Sequence, residues 1–152
     1  MKKTLLLISI ITFVTLFSCK KNYDVDPEST TAVKLIGNWE ETSSVLVRYN
    51  GSWVKLSEEA QPLGTVSFNS SGLFSAQFST NGPFEGNYNL STDAYGEYIN
   101  ITCGNYSFVY KIEEITAYKL VLTLEKHNDT YYVDNVPYVA ARSIKTVILS
   151  KK

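Results

Sequence analysis

From Lys34 to the C-terminus, apolar side chains recur at every second position in short runs, and this alternation constrains the fold more than any other feature. Val66 and Phe68 form one set, and Phe74, Ala76 and Phe78 the next. Phe84, Gly86, Tyr88 and Leu90 follow, then Ile99, Ile101 and Cys103. Tyr106, Phe108, Tyr110 and Ile112 make another, Leu120, Leu122 and Leu124 another, and Val147 and Leu149 end the series. Residues two apart on a strand share a face, so each set marks one buried face. Glycines at 37, 51, 64, 72, 82, 86, 96 and 104, mostly beside Asn, Ser or Pro, separate the runs as turns do. The clearest hairpin is Val45–Tyr49 and Ser52–Leu56 around Asn50-Gly51, a dipeptide suited to a two-residue type I′ turn. Ile112, Ile115 and Tyr118 show a helix-like spacing of three, but no capping residue precedes them, so a bend between two strands is expected. His127 to Pro137 reads as a long hairpin loop or an irregular edge.

About eight to ten strands fit this spacing, and two closures suit them, a barrel or a two-sheet sandwich. Consecutive short hairpins favour an antiparallel up-and-down barrel of about eight strands. The opposite faces carry Ser67, Asn87, Asn89, Asn100, Ser107 and Lys111, which excludes a membrane-spanning barrel with an apolar exterior. A length of 152 residues fits one domain, and a hydrophobic content of 44% rules out a wholly disordered chain. No Lys/Arg stripe stands out and the net charge is −1, so no nucleic-acid partner is expected.

The N-terminus has a different character. Lys2 and Lys3 precede an apolar run from Leu5 to Phe17, which ends at Ser18-Cys19. This is the layout of a signal peptide, too short for a spanning helix. It resembles a bacterial lipoprotein signal, with Ser18 as the small residue before the lipid-bearing cysteine. The resemblance implies a signal peptide over 1–18 and lipidation at Cys19 by a diacylglycerol and an acyl chain such as palmitate. Two or more acyl chains hold a protein at a membrane where one does so only marginally. The location implied is the cell envelope, lipid-anchored at the outer membrane and facing the periplasm or the surface. Residues 19–33, with Asp24, Asp26, Pro27 and Glu28, then read as a flexible tether, and 34–152 as the folded domain. Cleavage leaves Cys103 as the remaining thiol, so no intrachain disulfide is expected.

No catalytic set is legible. His127, the one histidine, sits beside Asn128-Asp129 without the partners of a zinc site, and no metal or cofactor is expected. Cys103 lies in an apolar alternation and reads as a small buried hydrophobe. Glu40-Glu41, Glu58-Glu59 and Glu113-Glu114 are neighbours that face opposite ways on strands, and they read as solvated faces unless members from different strands meet in a cavity. No phosphate loop, nucleophile elbow or calcium loop is present.

Leu35-Ile36-Gly37-Asn38-Trp39-Glu40 carries a Gly-x-Trp at the opening of the first strand. Phe68-Asn69-Ser70-Ser71-Gly72, Gly86-Asn87-Tyr88, Tyr110-Lys111-Ile112 and Leu120-Val121-Leu122 follow in order. In that order the chain resembles the lipocalin-like domain of bacterial lipoproteins. The resemblance implies that Gly37 and Trp39 are structural, with Trp39 plugging one end of a barrel and the late Arg142 lying across it. It also implies a non-enzymatic role, binding a small apolar or amphipathic ligand inside the barrel.

The 11 tyrosines are the compositional oddity. As strand residues they can present an apolar wall with a hydrogen-bonding tip. Tyr88, Tyr106, Phe108 and Tyr110 are the expected ligand-binding residues. An alternative is a surface module that uses Trp53 and exposed tyrosines to grip a glycan or another envelope protein. A hollow interior separates the two, against one filled by Phe68, Phe78, Phe108 and Leu122.

Overall fold

The computed structural model describes residues 30–79 and 82–152. The expected signal peptide, Cys19 and most of the expected tether lie outside the described residues. Thr30 caps a five-residue helix, α1 (Thr31–Leu35), accepting a hydrogen bond from the Val33 amide. Helix α1 thus begins a few residues before Lys34, the expected start of the domain. The Thr31 hydroxyl donates to Glu97 at 2.6 Å, and Leu35 is fully buried.

Nine strands follow: β1 (Gly37–Tyr49), β2 (Lys55–Ala60), β3 (Gly64–Phe68), β4 (Leu73–Phe78) and β5 (Phe84–Asp93), then β6 (Gly96–Cys103), β7 (Tyr106–Ile115), β8 (Lys119–Val133) and β9 (Val136–Lys151). All pairings are antiparallel, running β1–β3–β4–β5–β6–β7–β8–β9, and β9 pairs back onto β1 along Trp39–Tyr49. Eight strands therefore close an up-and-down barrel. The ninth, β2, pairs with the C-terminal half of β1 (Val45↔Ala60 to Tyr49↔Lys55), while β3 pairs with its N-terminal half (Gly37↔Phe68 to Glu40↔Thr65). β2 and β3 are thus two pieces of one interrupted strand. Pro62 lies in the gap and has no amide hydrogen to continue a ladder. No helix among the described residues is long and apolar enough to cross a membrane.

Three local expectations differ from what forms. Asn50-Gly51 does not make a two-residue turn. The Asn50 side chain accepts from the Ser52 and Val54 amides at 2.9 and 3.0 Å, which opens a longer loop, and the left-handed residue is Trp53 (φ 61°). His127–Pro137 is neither a loop nor irregular at its tip. β8 and β9 stay paired to Val133↔Val136 across Asp134-Asn135, both left-handed (φ 51° and 64°). Asn128, itself at φ 54°, and Ala141 opposite it drop out of the pairing without any shift of register, and the less exposed positions of β8 change there from Leu120, Leu122 and Leu124 to Asp129 and Tyr131. The bend at Ile112–Tyr118 does form, as the turn between β7 and β8.

Candidate ligand-binding cavity

The barrel interior divides into a packed end and an open end. Leu35, Trp39, Phe68, Ile99, Leu120 and Leu149 fill the first. Trp39 is the plug: its indole Nε1 donates to the Leu35 carbonyl at 2.8 Å, tying β1 to α1. The cation over the indole is Lys151, whose Nζ lies 5.1 Å from the ring centroid and donates to the Lys34 carbonyl at 2.9 Å. Gly37 permits this closure, because its φ of +134° is strained for any side chain and a Cβ there would also displace the Lys151 Cε, 2.7 Å away.

The expectation that Arg142 crosses Trp39 is corrected. Arg142 pairs with Tyr49 and His127 on the outer face of β9, far along the strand from Trp39. Its guanidinium stacks 4.0 Å from the Trp53 ring and bonds Glu125 at 2.7 Å. Lys151, at the end of the same strand, takes the position over Trp39 instead.

Toward the other end the barrel is hollow. A cavity of about 330 Å³ opens there, walled by Leu46, Phe74, Phe78, Phe84, Ile101, Phe108, Tyr110 and Leu124. Lys126, Asp129, Ser143 and Lys145 supply its polar lining. A smaller hollow of about 50 Å³ lies deeper, where Glu41, Tyr110 and Lys145 meet Phe68, Leu122 and Val147. Phe68 and Leu122 therefore belong to the floor, and Phe78 and Phe108 to the walls, without filling the interior.

A β-bulge sets which polar groups enter. The β1–β9 register shifts between Glu41 and Ser43, so Trp39 and Glu41 are buried before it, and Ser44 and Arg48 after it. Glu41 is thus not a solvated carboxylate. It is only 5% exposed, and neither its Oε2 nor the Ser44 hydroxyl has a partner among the described residues. Burial pushes the Glu41 carboxyl above its ordinary value, against the opposing pull of Lys145 and a hydrogen bond from the Gly64 amide. Burial likewise pushes the Lys145 amine down; Glu41 opposes this and Lys126 adds to it. Tyr110 is pushed up to about 12, chiefly by burial and secondly by Glu41. At the rim Arg48 bonds Glu59 at 2.6 Å and Asp129 at 3.2 Å, and its guanidinium lies 4.8 Å from the Tyr131 ring centroid.

Of the four expected ligand-binding residues, Phe108 and Tyr110 line the cavity. Tyr88 faces the core but packs edge-on against Phe68 at 5.0 Å, and its hydroxyl donates to the Asn69 carbonyl at 2.7 Å, so its polar tip is already engaged. Tyr106 is a correction. It is 69% exposed at the first position after the Gly104-Asn105 turn, where no element covers it. Cys103 is buried and lines the cavity, and burial pushes its thiol up, away from thiolate reactivity. His127 is solvated, 3.3 Å from Glu125 on the barrel exterior. Among the described residues no three His, Cys, Asp or Glu side chains gather as a metal site would require.

Arg48, Lys126 and Lys145 were not singled out from the sequence, and Glu41 was read there as one of a pair of solvated carboxylates unless it met others in a cavity. Period-two spacing carried part of the signal: Glu41 lies two residues from Trp39, and Lys145 two from Val147.

Among solved structures, the chain is similar to a lipocalin-like protein from Bacteroides uniformis ATCC 8492, at 19% identity and a TM-score of 0.45 over 78% of this chain and 99% of that one. It is also similar to EF1p2_mFAP2b bound to DFHBI, at 16% identity and a TM-score of 0.44 over 80% of this chain and 96% of that one. No protein-family model matches the sequence, and no curated protein matches it. The barrel assignment stands on the closed strand pairing given above.

Proposed function

We propose that this protein is a membrane-tethered, non-enzymatic binding protein of the lipocalin-like kind, holding a small amphipathic ligand in the open half of the barrel. One observation carries the reading: the hollow of about 330 Å³, with four phenylalanines in its wall and charged groups confined to a few positions. Ligand sites have this size and this mixture of apolar wall and sparse polar groups. Burying roughly 300 Å² of apolar ligand surface supplies about 7 to 8 kcal/mol at ~25 cal/mol per Å². That is the scale of a micromolar complex before ordering costs.

The tether is proposed from the sequence. Ser18-Cys19 after the apolar run supports lipidation at Cys19 and a place at the outer membrane, facing the periplasm or the surface. The absence of a legible nucleophile–base pair favours binding over catalysis. Native mass spectrometry of protein purified from its own host tests the ligand: a bound small mass supports the reading, and apo protein that also fails to bind apolar dyes sinks it. A Cys19→Ala variant is expected to leave the membrane fraction.

The second reading, a surface module for a glycan or another envelope protein, draws on the outer face. There Trp53 is 56% exposed between Tyr49, at 5.6 Å, and Arg142. A Trp53→Ala variant separates the two, since it leaves cavity binding intact.

A further inference from the structure

The cavity wall holds two lysines, of which Lys145 feels the opposing charge of Glu41. Lys126 and Lys145 both line it, and neither ammonium has a carboxylate within ion-pair distance among the described residues. The two are close enough that Lys126 disfavours the charge on Lys145. The third charged group of the lining, Asp129, is already bonded to Arg48 at 3.2 Å. Glu41 lies deeper, in the smaller hollow that Lys145 also lines. Two lysines thus stand against one buried carboxylate, and burial disfavours the charge on Glu41 and on Lys145 alike. Facing them across the cavity is an uncharged wall that includes Phe74, Phe78 and Phe108.

A neutral apolar ligand would desolvate the half-buried Lys145 further and cover the exposed Lys126 without offering either an acceptor, which is costly. A cationic ligand would add a third positive charge. A single acidic head group would bring these lysines their missing hydrogen-bond acceptors in a medium where such bonds are strong. We propose that the ligand is an amphiphile with one acidic head group, seated between Lys126 and Lys145 with its apolar body against the phenylalanine wall. This rests on the ligand-binding reading above and adds the chemistry of the head group to it.

Two dyes with one aromatic body test it: anilinonaphthalene sulfonate, which carries one negative charge, and the uncharged N-phenylnaphthylamine. The fluorescence titration is expected to show the intact protein binding the sulfonate at least about tenfold tighter, a difference of ~1.4 kcal/mol. In Lys126→Met/Lys145→Met that preference disappears, the sulfonate losing about tenfold relative to N-phenylnaphthylamine titrated on the same variant. A Lys126→Gln/Lys145→Gln protein repeats the measurement if the methionine variant misfolds. Equal or weaker binding of the sulfonate by the intact protein overturns the acidic head group and leaves the cavity reading standing. A preference that survives loss of both lysines overturns it too. So does a preference lost in Trp53→Ala, because the anion would then sit on the outer Trp53–Arg142 face. Failure of both dyes to bind overturns the cavity reading and this inference together.

Discussion

Replacing Glu41 with glutamine should stabilise the barrel at neutral pH. The carboxylate is 5% exposed, and one of its oxygens has no hydrogen-bond partner among the described residues. An unmet buried acceptor costs about 1–3 kcal/mol, and more when charged. The favourable effects of Lys145 and the Gly64 amide are outweighed by burial, since the carboxyl sits above its ordinary value of 4.5. Glutamine keeps the shape and removes the charge, but its amide brings donors that also need partners. A net gain of about 1 kcal/mol at pH 7.5 is therefore the expected outcome. The sign with pH follows from linkage. Because the folded-state value is raised, the native state binds more protons than the unfolded chain between 4.5 and that raised value, and stability falls as pH rises through this window. Lys145 contributes in a separate range. Its lowered value makes stability rise with pH between that value and 10.5. Urea unfolding at several pH values between 4 and 7.5 checks this. The wild-type protein should lose stability across the window, and Glu41→Gln should lose less. A variant about 1 kcal/mol or more less stable at pH 7.5, with unchanged pH dependence, refutes the reasoning. Glu41 would then be the supporting counter-charge of Lys145.

Trp39→Phe should cost about 1–3 kcal/mol by leaving the buried Leu35 carbonyl unpaired, and Trp39→Ala about 3–5 kcal/mol by emptying the plug, both read from urea midpoints. Phe108→Ser should weaken N-phenylnaphthylamine binding about tenfold, whereas Tyr106→Ser, outside the rim, should change it less than about twofold. Gly86→Ala should destabilise by about 1–3 kcal/mol in the same unfolding assay. Its Cβ would fall inside contact distance of the Thr102 carbonyl oxygen and 2.8 Å from the Cys103 sulfur.

The barrel was legible because its strands alternate cleanly wherever the register is unbroken. From β3 to β7 the buried residues are those the alternation marks: Val66, Phe68, Ala76, Ile99, Ile101, Cys103 and Ile112. Legibility fails where a left-handed residue or a side-chain cap intervenes. At Asn128 the backbone turns left-handed and the inward positions change phase, so the following hairpin loses its pattern although the register of the pairing is unchanged. At Asn50 the choice lay between a backbone turn through Gly51 and an Asn side chain holding two amides. Local dipeptide preference does not contain that competition. Tyr106 fails for another reason, since sharing a face with Phe108 says nothing about where along the barrel that face ends.

The candidate site was harder to read because it is defined by what does not pack. Apolar alternation marks positions that fill a core, and the packed end of the barrel satisfies it with Trp39, Phe68, Leu120 and Leu149. The open half instead places Glu41, Ser44 and Arg48 on β1 and Ser143 and Lys145 on β9, so the seam that closes the barrel is polar on its inner side. Charged groups cannot collapse into an apolar interior without partners. The opposite wall meets them with rigid phenylalanines, which bridge the gap only in part. The alternation passes over such residues as breaks in a buried face. On a closing seam those breaks keep the barrel open, and under the proposed reading Lys145 among them, with Lys126 on the neighbouring β8, sets the charge of what can enter.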